Sequence, residues 1–308
     1  MAALRGLVLC AGLGTRLRPL TDRVPKPLVQ VCGRPVIEPL LEWFAAAGIR
    51  EVCFNTHHLA DRLRGHLGDG ARWGVELTWR HEETLLAGAG TLKSFEDELG
   101  DATAVVANGD ALHDVDLAAA LATHRRLGSA LTLVTAPLCG PPVSPVAWDD
   151  DGRLRGIRHF GLEDRRGVWR GEFSGVHLVE PEIWRRHIPR GRSCNLVSEV
   201  IPRLLERGVP VVCHLSDGLF CTIDDAEGLA RAHRLVLHHR TPRYLAAAVE
   251  VRFGVYAQPR AVLAGDIEPP VFVGRDAVVA AGARLGPYAA LGAGQRLAAG
   301  ERLAFELR

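Results

Sequence analysis

The sequence predicts an α/β protein: a Rossmann-like, doubly wound, mostly parallel sheet followed by a short left-handed parallel β-helix. Three observations predict it. Short apolar runs alternate with amphipathic segments through most of the chain, a glycine-bearing and cation-rich loop follows the first apolar run, and aliphatic residues recur every six positions near the C-terminus.

The strand-like runs are Leu7 to Cys10, Glu51 to Asn55, Val75 to Trp79, Thr103 to Ala107 and Ala130 to Ala136. Between them, Val36 to Ala47 sets Ile37, Leu40, Leu41 and Phe44 on one helical face. Leu59 to Leu67 and Gly90 to Leu99 read as further helices, and Asp116 to Leu127 opens on a capping aspartate. Strand–helix alternation implies parallel strands with helices on both faces. Such sheets bind ligands beyond the C-terminal ends of their strands, where the opening loop begins. Trp148 to Gly161 then reads as a hairpin, its three aspartates a solvated turn. Strand Phe173 to Val179, helix Leu196 to Arg207, strand Pro210 to Leu215 and helix Asp225 to Leu237 follow.

Ile267, Val273, Val279, Leu285, Leu291, Leu297 and Leu303 stand six apart, with small residues between. That period marks a parallel β-helix, each aliphatic filling an inside corner. At about 18 residues per coil the module holds two to three coils and needs neighbours to be stable. The expected organisation is a first domain over 1–238, a linker over 239–260 and a β-helix over 261–308, with a homodimer through the β-helix or its packing surface.

With 308 residues the chain has length for about two domains. Apolar residues make up 47% and charged residues 24%, as in a chain with a real core. A net charge of +1 provides no global field for nucleic acid or membrane, so an anion site must be local. No apolar stretch reaches the roughly 20 residues of a membrane span, and the apolar part of "MAALRGLVLCAG" is short for a signal peptide. Seven scattered cysteines without a Cys-x-x-Cys pair argue against disulfides or zinc and for a reducing cytoplasm. Cys10 and Cys53 read as core thiols.

The opening loop, "LCAGLGTRLRPLTDRVPKPL", carries Gly12, Gly14, Arg16 and Lys26, with Pro19, Pro25 and Pro27 stiffening it. Backbone donors and fixed cations suit a polyphosphate. The loop is neither a P-loop nor the dinucleotide fingerprint Gly-x-Gly-x-x-Gly.

This loop resembles the signature of the sugar-1-phosphate nucleotidyltransferases, a glycosyltransferase-A-like fold family. "LLAGAGTL" at 85–92 is similar to the family's base-binding segment, and "VVANGDAL" to its Asn-Gly-Asp strand end. The six-residue repeat resembles the C-terminal domain of the mannose-1-phosphate guanylyltransferase branch. The resemblance implies that an NTP and a sugar 1-phosphate give an NDP-sugar and pyrophosphate, with Mg²⁺ as cofactor. By position it implies that Ala11, Gly12, Gly14 and Thr15 hold base and phosphates, Arg16 binds the leaving pyrophosphate and Lys26 bridges phosphates. Gly88 and Gly90 let the base lie against the main chain, and Glu82 or Glu83 reads its edge. Asn108 and Gly109 lead to Asp110, a hard oxygen donor for Mg²⁺. Ser174 and Gly175 fall on the sugar-binding strand.

Two positions depart from the family. Its sugar-phosphate lysine is replaced by "GIRHFG", where Arg158 or His159 is the cation, and an arginine fork differs from a lysine point charge. Its second metal aspartate aligns with Thr222 in "FCTIDDAEGL". Asp224, two residues on, faces the same side of a strand and is either a second metal ligand or, with Asp225, a helix cap. The departures leave a second reading open: a weakened homologue that binds nucleotide or nucleotide-sugar and regulates a partner. An acyltransferase working through the β-helix is disfavoured, since no histidine follows His239.

Overall fold

The computed structural model describes residues 3–138, 144–160, 170–245 and 247–306. The chain divides into two compact units, Met1–Leu13 with Leu40–Phe220 and Gly14–Pro39 with Cys221–Arg308.

The first unit is built on one nine-stranded sheet. Its strands are β1 (Leu4–Leu9), β2 (Glu51–Thr56), β3 (Glu76–His81), β4 (Thr103–Asn108), β5 (Leu131–Ala136), β6 (Pro145–Trp148), β7 (Leu154–Ile157), β8 (Gly171–Val179) and β9 (Val211–Leu215). The order β8-β4-β1-β2-β3 continues from β8 to β5 and β9, while β6 and β7 form a hairpin against the start of β8. Strands β4, β1, β2 and β3 run parallel, and β8 runs antiparallel to β4 and β5. Strands β1, β2 and β4 carry continuous buried runs, as expected where both faces of a sheet are covered, whereas the edge strand β3 is mostly exposed or half-buried. Leu7, Val8, Phe54, Val105 and Val106 are fully buried in β1, β2 and β4.

Most expected elements form within two residues of their expected ends. The helix expected from Gly90 starts earlier, as α1 (Ala87–Ser94), and breaks at Phe95 before a single turn, Glu96–Leu99. The helix expected over 196–207 is a wide π turn, Leu196–Val200, running into Ile201–Glu206. Pro202 offers no N–H to the preceding turn, so regular α bonding starts only beyond it. The hairpin forms as expected. Asp149 Oδ1 accepts the N–H groups of Asp151 and Arg153, so the aspartates form a solvated turn. Gly161, the last residue expected in this hairpin, lies outside the described residues.

The second unit holds the opening loop from Gly14, helix α2 (Ala226–His239) and the repeat region. Its division differs from the expected boundaries at 238 and 260, and packing explains the difference. His233 on α2 accepts the Cys32 N–H at 3.3 Å, and Gln258 Nε2 donates to Gly33 O at 3.5 Å, so 14–39 and α2 belong with the repeat. The expected linker is also structured. Pro242–Leu245 is helical, and Val255–Ala257 pairs in parallel with Val271–Val273 as part of the first coil.

Three parallel three-strand stacks make the β-helix, with equivalent residues 18 apart in the later coils, as in Asp266↔Arg284↔Arg302. The aliphatics from Val273 to Leu303 line its interior, all at 4% exposure or less, and Ile267 packs partly buried against them.

All six described cysteines are free and buried, and burial raises the Cys53 thiol to about 12. No helix among the described residues is long and apolar enough to cross a membrane. Burial holds His177 in the first unit and His233 in the second down to about 4, below the ordinary value of 6.5; a backbone hydrogen bond offsets part of each shift. Between those values the unfolded chain binds protons that the folded chain does not. Stability should therefore be full above pH 6.5 and fall as pH drops toward 4. Thermal melts across that range check this; a Tm flat from neutral pH down to pH 4 would contradict it.

Candidate active site

Four parallel strands deliver their C-terminal ends to one edge of the first unit's sheet, where open α/β sheets bind ligands. There β1 runs into Ala11 and Gly12, β2 reaches Asn55, β3 leads to Glu82, and β4 ends at Asn108 before Gly109 and Asp110. A cavity of about 340 Å³ opens at this edge, lined by Ala11, Gly12, Asn55, Glu82, Gly88, Thr91, Asn108, Asp110 and Ser193 among others. The structure thus brings together six residues picked out by sequence in this unit: Ala11, Gly12, Glu82, Gly88, Asn108 and Asp110.

Glu82 is only 3% exposed and organises the cavity wall. Its Oε1 accepts from Asn55 Nδ2 at 2.9 Å and from the Thr91 hydroxyl at 2.5 Å, and its Oε2 accepts the Leu86 N–H at 2.9 Å. Asn55 Oδ1 in turn accepts the Cys10 N–H at 2.7 Å. The end of β1, the end of β2 and the start of α1 are thereby tied through one carboxylate. Glu82, expected to read a base edge, spends three of its acceptor positions on its own scaffold. Asn55, Thr91 and Ser193 were not singled out from the sequence. A polar residue closing an apolar strand is a signal for Asn55; Ser193 offers none.

The glycine-rich segment follows directly. The Ala89 and Gly90 N–H groups both donate to Cys194 O, at 3.1 and 3.0 Å, and Cys194 N–H donates to Leu86 O at 2.8 Å. A Cβ on Gly90 would lie 2.9 Å from Arg192 O and 3.2 Å from Cys194 N, so only glycine allows this approach. Gly90 therefore holds the segment against the 192–194 loop, while Gly88 lines the cavity.

On the β4 side, Gly109 N–H donates to Leu9 O at 3.0 Å, fixing the turn that presents Asp110. Asp110 also acts electrostatically on the Cys10 thiol, which burial first and this charge second push well above its ordinary value. Gly175 sits in an irregular stretch of β8 at φ +81, and a Cβ there would lie 2.6 Å from Asn108 Nδ2. Ser174 is buried, its hydroxyl donating to Val134 O at 2.8 Å. Ser174 thus ties β8 to β5, and Gly175 leaves room for Asn108. Gly175→Ala combines a left-handed backbone with a clash and should destabilise the protein by about 2–3 kcal/mol. Chemical denaturation checks this; a change under about 0.5 kcal/mol would mean the strand shifts freely.

Arg158 and His159 lie exposed in the turn after β7, Arg158 at φ 55 with its N–H on Pro145 O, and neither lines the cavity.

In the second unit the opening loop folds into three short turns, Thr15–Leu17, Leu20–Asp22 and Lys26–Leu28. The Thr21 hydroxyl donates to Gly14 O at 2.7 Å, and Thr15 and Arg16 are exposed. Lys26 is 8% exposed, and its Nζ lies 2.8 Å from Asp224 Oδ1. Arg16 reaches the same oxygen at 3.1 Å. Burial pushes the Asp224 carboxyl up, but the hydrogen bond and charge of Lys26, the charge of Arg16 and the Thr222 hydroxyl hold it below the usual carboxylate range. The helix cap is Asp225 alone, whose Oδ1 accepts the Gly228 N–H at 2.8 Å. Asp224 is thus not a cap; its carboxylate is engaged by two cations.

Among the described residues no three His, Cys, Asp or Glu gather to hold a metal by themselves. A Mg²⁺ brought by a nucleotide needs only one or two protein carboxylates beside phosphate oxygens, and Asp110 in the cavity wall fits that need.

Comparison with known proteins gives three findings. The nucleotidyl transferase family matches residues 5–140. The UTP–glucose-1-phosphate uridylyltransferase of Synechocystis is 30% identical over 289 residues, covering 88% of this chain and 74% of that protein, and the mannose-1-phosphate guanylyltransferase of Mycobacterium tuberculosis is 33% identical over 66% of this chain and 55% of its own length. In fold, the chain is similar to HddC from Yersinia pseudotuberculosis, solved with GMP-PN, at a TM-score of 0.63 and 19% identity over 76% of this chain and 99% of that one.

Proposed function

Because the chain belongs to the sugar-1-phosphate nucleotidyltransferase family, we propose that it joins an NTP to a sugar 1-phosphate, releasing pyrophosphate, with GTP and mannose 1-phosphate as the preferred pair. The observation that carries this reading is the cavity at the parallel strand ends, which sets Gly12, Gly88, Asn108 and the Asp110 carboxylate around one space. The guanylyltransferase relative and the β-helix support the choice of base and sugar.

A sugar-phosphate oxygen attacks the α-phosphorus in line, and pyrophosphate leaves. The protein's task is to position two anions against their repulsion and to neutralise charge that migrates to the leaving group. Gly88 lets the base approach the main chain, held in place by the Glu82 network. Asp110 would hold Mg²⁺, which neutralises phosphate charge when bound. We assign Mg²⁺ to Asp110, a carboxylate in the cavity lining. Arg16 and Lys26 take up the charge of the leaving pyrophosphate.

The test is pyrophosphate release from each NTP with a panel of sugar 1-phosphates and Mg²⁺. The expected result is turnover, fastest with GTP and mannose 1-phosphate. Nucleotide binding without release from any pair would instead support a homologue that binds nucleotide and regulates a partner, the reading that exposed Arg158 and His159 favour.

A further inference from the structure

The second unit pairs a nearly buried lysine with a carboxylate that the family pattern does not place there. By the sequence resemblance Thr222 stands where the family has its second aspartate, and an acidic group stands two residues later, at Asp224. The Thr222 hydroxyl helps to hold that carboxylate below the usual carboxylate range. Lys26, 198 residues away in sequence, and Arg16 of the same loop converge on a single oxygen of it, at 2.8 and 3.1 Å.

Two cations on one anionic oxygen is the arrangement a phosphate oxygen would take. Lys26 is 8% exposed, and an ammonium so far removed from water needs an anion close by. Before substrate arrives, Asp224 supplies it. Arg16, by contrast, is 65% exposed and can swing away at little cost. A pyrophosphate group carries more charge than a carboxylate and offers several oxygens, so it can replace Asp224 on both cations.

We propose that Asp224 is an internal stand-in for the phosphate: it holds Lys26 and Arg16 in place in the empty loop and is displaced when the pyrophosphate portion of the substrate binds. It is a positioning residue that also sets the affinity of the loop for polyphosphate. The inference rests on the proposed assignment of Arg16 and Lys26 to pyrophosphate, but its test involves no turnover.

The experiment is calorimetric binding of inorganic pyrophosphate to the full chain in EDTA, comparing wild type with Asp224→Asn. Asparagine keeps the shape and an acceptor oxygen while removing the competing charge. The variant should bind pyrophosphate about tenfold more tightly, the factor expected if the pair is closed in roughly nine molecules of ten. Its ligand-free Tm should fall, and pyrophosphate should raise that Tm by more than it raises the wild type's. Thr222→Val, which keeps all three charges and removes only the hydroxyl, should tighten binding about two- to threefold. Should Asp224→Asn fail to fold without pyrophosphate, Thr222→Val decides. Unchanged or weaker binding in whichever variant decides overturns the proposal. Failure of the transferase reading is seen separately, as absent pyrophosphate release in the NTP assay despite normal pyrophosphate binding.

Discussion

Asp110→Asn should reduce Mg²⁺-dependent pyrophosphate release by about 100-fold or more while leaving the fold intact, since loss of one charge-stabilising contact in such sites costs on that order. Asp110 lines the cavity one residue beyond the Gly109–Leu9 hydrogen bond that fixes its turn, and that bond is made by the main chain. Asparagine preserves the shape and removes only the charge. The loss should fall on kcat, because the carboxylate is needed most when charge moves from the α-phosphorus to the leaving group. Steady-state kinetics with saturating NTP, beside a thermal melt, separates the outcomes. Wild-type kcat in the variant would remove Asp110 from the metal role and leave the cavity a nucleotide pocket without an assigned metal ligand.

Glu82→Gln should have the second largest effect, and of a different kind. The carboxylate accepts from Asn55, Thr91 and Leu86 at once. Glutamine keeps one oxygen and turns an NH₂ toward a group that already donates, so one buried donor loses its partner at about 1–3 kcal/mol. The start of α1 and the end of β1 then lose their common anchor. The expected result is a KM for nucleotide raised about tenfold for every base alike, a Tm lower by a few degrees, and a kcat changed less. A switch in the preferred base with Tm unmoved would show instead that the carboxylate reads the base directly.

The different reach of these two residues shows what could be read early. Asp110 was legible because it ends a short apolar run in the Asn-Gly-Asp sequence, and chain order alone puts the end of a parallel strand at the ligand edge. Glu82 was picked out as a reader of a base edge, and the structure shows it in the cavity wall, bonded to Asn55, Thr91 and Leu86. Its proximity to the glycine-rich segment is written in the chain, whereas Asn55 and Thr91, its actual partners, lie 27 and 9 residues away. Ser174 and Gly175 were singled out for a sugar; in the structure Ser174 bonds Val134 O and Gly175 lies against Asn108, contacts that depend on how β8 lies beside β4 and β5.

Local pattern was enough to give the α/β core, the sheet edge at which the cavity opens, and the β-helix with its inward aliphatics. These follow from short apolar runs, a 3.6-residue helical period and a six-residue repeat, all of them local properties of a chain. Packing, in contrast, sets residues 14–39 in the unit carrying the repeat, makes Glu82 a structural hub, and puts Asp224 against Lys26 and Arg16 instead of at a helix cap. Those outcomes depend on which polar groups meet once the chain is packed. A buried donor, acceptor or charge takes whatever partner the fold brings within about 3 Å, however far apart the two stand in sequence.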